Sequence, residues 1–225
     1  MVRTVIFDMD GVIVDTEPVH RYAYFQHFEE LGIGVSDAEY ATFTGRSTKN
    51  VYQHLKDKHS LAHEVGELVL AKREFFNLAF DEKPDLELLD GVRRLIEDLH
   101  QHNLELILAS SASQSTIDRV MRRFVLGPYF SHLVSGEDFP RSKPDPAIFA
   151  HAASLAQSSQ AECVVIEDSA NGVTAAKAAG LYCIGYNSIH SPLQDLSHAD
   201  LVVTHFQELT AARIAALETG ALEAS

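Results

Sequence analysis

No apolar run in this 225-residue chain approaches the roughly 18 residues of a spanning helix, so a transmembrane segment is not expected. The N-terminal stretch MVRTVIFDMDG meets its first carboxylate at Asp8 and lacks an apolar signal region, which argues against secretion and against a membrane partner. Positive charge is scarce. Eighteen Lys and Arg face 32 Asp and Glu, a formal net charge of -14, and the pI is near 5.2. That is the wrong sign for a nucleic-acid surface. Only two cysteines are present, Cys163 and Cys183, each inside an apolar run. Buried thiols in a reducing, cytoplasmic compartment explain them better than a disulfide. With 12 Gly, 7 Pro, no internal repeat and no long low-complexity tract, the chain is neither fibrous nor disordered. The polar stretch QSSQ at 157–160 reads as a loop.

What is present is an ordinary globular composition, 46% hydrophobic and 22% charged, able to bury a sizeable core. Short, nearly continuous apolar runs at 4–8 (TVIFD), 104–109 (LELILA), 163–166 (CVVI), 183–186 (CIGY) and 201–204 (LVVT) read as parallel strands buried on both faces. Helix-like stretches at 91–102 and 170–179 lie between them. Alternation of this kind predicts an α/β fold, a doubly wound, Rossmann-like parallel sheet with ligands beyond the carboxyl ends of its strands. A crossover needs only about a dozen residues, yet roughly 95 separate the first two runs. The excess is patterned as helix. Residues 16–31 open with Thr-Glu-Pro and carry Tyr22, Phe25, Phe28 and Leu31, and residues 61–80 place Leu61, Val65, Leu68, Ala71 and Phe75 at helical spacing. The expected organisation is a catalytic core from 1–15 and 86–225 with an all-helical cap domain at 16–85, hinged at Asp15-Thr16 and at Lys83-Pro84-Asp85.

Chemistry-bearing residues gather at the ends of these runs. In an extended chain Asp8 and Asp10 project to the same side, placing two carboxylates in one crevice; the alternative is a solvated strand end before Gly11. Two more acids, Glu167 and Asp168, close the run CVVI at the same sheet edge, and four clustered acids suit a hard divalent cation such as Mg²⁺. Ser110 ends the run LELILA, where its hydroxyl and the amides of Ser111 and Ala112 can receive phosphate oxygens; a helix cap is the competing reading. Lys143 lies between Arg141-Ser142 and Pro144-Asp145-Pro146, whose prolines restrict the backbone beside an ammonium. Asn171 is either a helix-start residue or a support for Lys143 and the acids. In the inserted segment, Thr44-Gly45-Arg46-Ser47-Thr48-Lys49 reads as a helix-to-helix loop in which Gly45, Arg46, Ser47 and Lys49 form either a lip for a phosphorylated substrate or a solvated turn. The histidines show no zinc-ligand constellation.

Four segments in order carry a resemblance. DMDGVIVDT resembles the first signature of the haloacid dehalogenase superfamily, Ser110 the second, Lys143 in SKPDPAIF the third and Glu167-Asp168 in VVIEDSANG the fourth. The helical insertion after the first signature is similar to the cap of the β-phosphoglucomutase and phosphoglycolate phosphatase branch, and His20 matches a histidine position seen there. The resemblance implies phosphoryl transfer through an aspartyl phosphate on Asp8, with Asp10 as acid and base. It also implies Mg²⁺ held by Asp8, Asp168 and the main-chain carbonyl of Asp10, with Glu167 acting through water, while Lys143 and Ser110 offset phosphoryl charge. The implied activity is hydrolysis of a small phosphomonoester, a sugar phosphate, by a monomer or weak homo-oligomer. Two alternatives stand beside it: a phosphosugar mutase, and a protein that binds a phosphometabolite without turnover. Mutases of the branch resemble G-x-S-R in the cap and carry a cationic or amide-rich cluster after the serine; this chain has Gly45-Arg46-Ser47-Thr48 and Ser111-Ala112-Ser113-Gln114. The lysine of phosphonate hydrolases would fall at Thr48, with Lys49 displaced by one.

Overall fold

The short apolar runs hydrogen-bond side by side because each can be buried on both faces at once. In the computed structural model, which describes residues 1–43, 46–82, 86–188 and 194–219, they are β1 (Thr4–Phe7), β2 (Glu105–Ser110), β3 (His132–Ser135), β4 (Cys163–Glu167), β5 (Tyr182–Tyr186) and β6 (Leu201–Val203). All pairings are parallel, and the spatial order is β3-β2-β1-β4-β5-β6. The chain winds outward from β1 through β2 to β3 and then crosses back to β4, so the direction of winding reverses between β1 and its two neighbours. In an open parallel sheet that reversal opens a crevice at the carboxyl ends of the strands. Asp8 stands at its mouth.

Between β1 and β2 the chain forms α1 (Glu17–Glu30), α2 (Asp37–Ala41), α3 (Thr48–His59) and α4 (Val65–Glu82), after which α5 (Val92–Gln101) leads into β2. The later crossovers carry α6 (Gln114–Arg123), α7 (Ala147–Leu155) and α8 (Ala170–Ala178), and α9 (Ala211–Ala215) follows β6. The chain divides into two compact units, Met1–Asp15 with Glu87–Ser225, and Thr16–Leu86. In the first, Phe149 and Ala152 of α7 and Val173 and Ala176 of α8 pack with Ile6, Ile107 and Val165 of the sheet. Each large aliphatic or aromatic side chain buried there contributes about 1.5–3 kcal/mol. Both cysteines are free and buried.

The second unit is built on aromatics: Tyr24, Phe28, Tyr40, Phe43 and Tyr52, with Val51, Leu55 and Leu68 between them. Its helical character agrees with the sequence pattern, but the buried faces are rotated from those expected. On α1 the buried residues are Val19, Ala23, Tyr24, His27 and Phe28, while Tyr22 is exposed; steps of three drift around a 3.6-residue helix, so the Tyr22-to-Leu31 series does not stay on one face. On α4 the buried series is Leu68, Lys72, Phe76 and Phe80, and Leu61 lies before the helix begins. Other expectations are corrected as well. Strand β3 is absent from the sequence reading because HLVS is short and edge-placed, with Val134 and Ser135 buried but His132 and Leu133 partly exposed. Thr48 and Lys49 belong to α3 rather than to a loop, since Ser47 accepts a hydrogen bond from the Asn50 amide and caps the helix there. Gln160 opens a short 3₁₀ turn, Gln160–Glu162. The expected hinge at Lys83-Pro84-Asp85 and the loop positions Thr44 and Gly45 lie outside the described residues.

Within the aromatic unit His27 is buried with its Nδ1 2.6 Å from the Tyr52 hydroxyl. Burial holds its pKa below the ordinary 6.5, an effect that Glu30 partly opposes and His63 reinforces. A depressed folded-state pKa means that the unfolded chain takes up the proton first as pH falls. Stability is therefore expected to be full above about pH 6.5 and to decline below it toward the depressed folded-state value. His27→Gln should flatten that decline in urea denaturation followed between pH 7 and pH 5. An unaltered pH slope in the variant would show that His27 is not its source.

Candidate active site

Beyond Phe7 the backbone stays in the ladder for one more residue, with the Asp8 amide donating to the Ile166 carbonyl at 3.0 Å, and then turns. The Met9 carbonyl accepts from the amides of Val12, Ile13 and Val14 at 3.3, 2.8 and 3.2 Å. The chain is thus bent at Met9 and not extended through Asp10, which corrects the strand geometry assumed for this pair. Gly11 sits at φ 81°, in the left-handed region, and a Cβ there would lie 2.0 Å from Asp168 Oδ2. Glycine is required twice over, by the turn and by the Asp168 carboxylate resting against it.

Lys143 enters from the segment before α7 and joins two strands. Its Nζ donates to Asp8 Oδ1 at 2.5 Å and to Glu167 Oε1 at 2.8 Å, and it lies 4.6 Å from the centre of the Phe149 ring. Only 6% of the lysine and 1% of Glu167 is exposed. Burial alone would lower the lysine pKa, but Asp8 and Glu167 together raise it above the usual range, so the group is a permanent cation. Asp8 is pushed well above the ordinary carboxylate value, first by burial and then by Glu167, Asp10 and Asp168; Lys143 opposes this. Three other carboxylates therefore act on Asp8, and Lys143 opposes them.

Glu167 is fixed at both ends. Its Oε2 accepts from the Ser169 amide at 2.8 Å and from the Ser169 hydroxyl at 3.0 Å. The same hydroxyl oxygen accepts from the Gly172 amide and caps α8. A Cβ on Gly172 would fall 1.8 Å from the Glu167 carboxylate, so the helix approaches this closely only through glycine. Asn171, expected either as the helix-start cap or as a support for Lys143 and the acids, is not the cap: it lies inside the first turn of α8, and the cap is Ser169.

Register brings the remaining groups to the same edge. Phe7 is level with Leu108 on β2 and with Ile166 on β4, so Asp8, Glu167 and Ser110 all emerge at the carboxyl ends of adjacent strands. Ser110 is fully buried, and its Oγ accepts from the Ala112 amide at 3.0 Å. It is not the helix cap. That role falls to Ser113, which accepts from Thr116 at the start of α6. Ser111 and Ala112 form the turn between Ser110 and Ser113.

The sequence-derived candidates in the other unit are placed within that unit. Ser47 caps α3; Arg46 before it and Lys49 on its first turn are exposed. His20 stacks on Phe76, with ring centroids 4.3 Å apart, and its Nδ1 is 2.6 Å from Lys72 Nζ. Burial, and after it the lysine charge, holds His20 well below its ordinary 6.5, so the imidazole is neutral at neutral pH. Lys72 is 2% exposed and lies 4.4 Å from the Tyr24 ring centre. Sequence reasoning missed it. The available signal was a cation in the middle of the four-residue series Leu68, Lys72, Phe76 and Phe80.

The acidic donors at Asp8, Glu167 and Asp168 are hard oxygens suited to Mg²⁺, and Asp168 lies in the cradle left by the missing Cβ of Gly11. The fit is one of donor type: among the described residues no three acidic, histidine or cysteine side chains are grouped as a metal centre.

Three comparisons bear on this geometry. The family model described as haloacid dehalogenase-like hydrolase matches residues 5–186. Among curated proteins the chain is 30% identical to the β-phosphoglucomutase of Bacillus subtilis, over 92% of each chain. It is 32% identical to the phosphorylated carbohydrates phosphatase of Thermotoga maritima, over 84% of this chain and 86% of that one. Among solved structures it resembles a point variant of CbbY from Rhodobacter sphaeroides in complex with xylulose-(1,5)bisphosphate, with TM-score 0.81, 26% identity and coverage of 93% and 96% of the two chains.

A methyl group at Gly172 should displace the Glu167 carboxylate from both Ser169 and Lys143. Gly172→Ala is expected to lose about 1–3 kcal/mol of stability in chemical denaturation, the usual cost of overpacking. A variant as stable as the parent would mean that the carboxylate has room to move.

Proposed function

Since the chain belongs to the haloacid dehalogenase-like hydrolases, we propose that it is a Mg²⁺-dependent phosphatase that hydrolyses a small phosphorylated metabolite, a sugar phosphate, by way of a phosphorylated Asp8. The observation that carries this reading is the Asp8 carboxylate held at the switch point of the sheet by Lys143, with the Asp10 charge acting on it from two residues on. The Thermotoga relative is a phosphorylated carbohydrates phosphatase, which supports the same substrate class here.

In the first half of the reaction an Asp8 oxygen forms a bond to phosphorus while the bond from phosphorus to the leaving oxygen breaks, and Asp10 delivers a proton to that oxygen. In the second half Asp10 takes a proton from water as the water oxygen attacks phosphorus and the bond to Asp8 breaks. Lys143 orients Asp8 and faces the phosphoryl charge, and Ser110 with the following amides receives the peripheral oxygens. Asp8, Asp168 and the Asp10 carbonyl would hold Mg²⁺, with Glu167 acting through water. When bound, the ion neutralises phosphoryl charge and favours the ionised form of Asp8. Glu167 already spends one oxygen on Lys143 and the other on Ser169, which suits indirect contact better than direct ligation.

Mutase activity is the second reading, favoured by the Bacillus subtilis relative. It would be adopted if β-glucose 1-phosphate were converted to glucose 6-phosphate faster than either ester was hydrolysed. Free, buried Cys163 and Cys183 support a cytoplasmic location. Among the described residues no helix is long and apolar enough to cross a membrane.

Two outcomes test the phosphatase. Release of phosphate from an aryl phosphate should require Mg²⁺, vanish in Asp8→Asn and fall by about 10²–10⁴ in kcat in Asp10→Asn. Full activity in Asp8→Asn would refute the covalent route. Because the burial of Asp8 favours its protonated form, Mg²⁺ binding should also release protons, more so as the pH is lowered. Calorimetry in buffers of different ionisation heat should detect that release, and Asp8→Asn should reduce it. Equal release from both proteins would place the proton elsewhere.

A further inference from the structure

Three successive residues at the end of β3 touch the segment that follows Ser110, two of them its turn and the third the start of α6. The Ser135 hydroxyl donates to the Ala112 carbonyl at 2.8 Å. Gly136 packs so closely on Ser111 that a Cβ would lie 2.8 Å from its Cα. The Glu137 carboxylate accepts from the Gln114 amide at 3.2 Å, at the first turn of α6. Register explains the meeting, because Ser110 and Ser135 are level on paired strands. The turn is therefore held by the end of β3 and the residues just after it at both Ser111 and Ala112.

The hydrogen bonds through Ser135 also have a direction. The Glu137 amide donates to Ser135 Oγ at 3.2 Å, and Ser135 Oγ donates to the Ala112 carbonyl. The Ala112 amide in turn donates to Ser110 Oγ at 3.0 Å. Each hydroxyl that accepts an N–H must turn its own hydrogen elsewhere. For Ser135 the recipient is the Ala112 carbonyl. For Ser110 the hydrogen is left to point to another acceptor, and a phosphoryl oxygen in the crevice is one. Hydrogen bonds linked in this way polarise one another, so each strengthens the next.

We infer that Ser135 is a positioning residue for phosphate recognition: by holding the Ala112 peptide it fixes the turn from which the Ala112 amide sets the Ser110 hydroxyl as a donor to the phosphoryl group. The inference rests on the phosphatase reading above, and it adds a residue that lies outside all four signature segments. Ser135 itself never touches substrate. It is 1% exposed, so its influence travels through the backbone of residues 111 and 112.

The test is a double-mutant cycle on the Mg²⁺-loaded protein, with inorganic phosphate as the probe in titration calorimetry and as an inhibitor of aryl phosphate hydrolysis. Ser135→Ala should weaken phosphate binding by roughly two- to tenfold, the size of one net hydrogen bond. Ser135→Thr, which keeps the hydroxyl, should recover most of that loss. In a Ser110→Ala background the Ser135→Ala change should add less than about twofold, because the hydroxyl it serves is gone. An unchanged phosphate affinity in Ser135→Ala would overturn the inference. So would the same fold-loss in both backgrounds, since a purely structural role is additive. Wild-type protein that neither binds phosphate nor hydrolyses any ester would refute the phosphatase reading and this inference together. Phosphate binding and turnover with an additive cycle would refute the inference alone.

Discussion

A buried ammonium between two buried carboxylates is the contact on which the rest of the site depends. Charges taken from water cost several kcal/mol each, and that cost is offset only when partners and hydrogen bonds are close and complete. Lys143 meets the condition by reaching Asp8 after β1 and Glu167 at the end of β4, with an aromatic face beneath it at Phe149. Loss of one partner of such a pair costs about 3–5 kcal/mol, because the other charge is left buried and alone. The site is thus tied to the stability of the core and not merely displayed on it.

That contact makes demands on the backbone around it. Parallel register must bring β1 and β4 out at the same height, as the pairing of Phe7 with Ile166 does. Close approach must then be allowed where side chains would obstruct it. Gly11 leaves room for the Asp168 carboxylate and Gly172 for that of Glu167, while Gly136 lets β3 press against Ser111. Each of these positions lacks a Cβ for a specific reason, and the three together shape the crevice as much as the charged residues do. Negative charge outweighs positive around Asp8, since three other acids, Asp10, Glu167 and Asp168, act on it and Lys143 opposes them.

The α/β class and the parallel sheet were legible because runs such as TVIF and CVVI are apolar without alternation, a pattern that only strands covered on both faces sustain. The strand-end positions of Asp8, Ser110 and Glu167 were legible for the same reason, each being the first polar residue after or at the end of such a run. Strand β3 was not, since HLVS has two polar residues in four and occupies an edge where burial imposes little pattern. With it went Ser135 and its link to Ala112, which depends on a register no local window reveals. The helical unit was legible as helix but not in phase: aromatic residues all around α1 mask the buried face, and Lys72 was hidden because a lysine is ordinarily read as solvent-facing. The bend at Met9 was likewise invisible, since Asp8-Met9-Asp10 is compatible with a strand until the Gly11 turn is seen.

The most direct test of the central contact is the ionisation of Asp8 itself, followed by carboxyl carbon NMR in metal-free protein and in Lys143→Met. Lys143 is the charge that opposes burial and the neighbouring acids, so its removal should move the Asp8 titration to higher pH. A titration that stays where it was would show that the lysine does not control this carboxylate, and the account built on their pairing would fail.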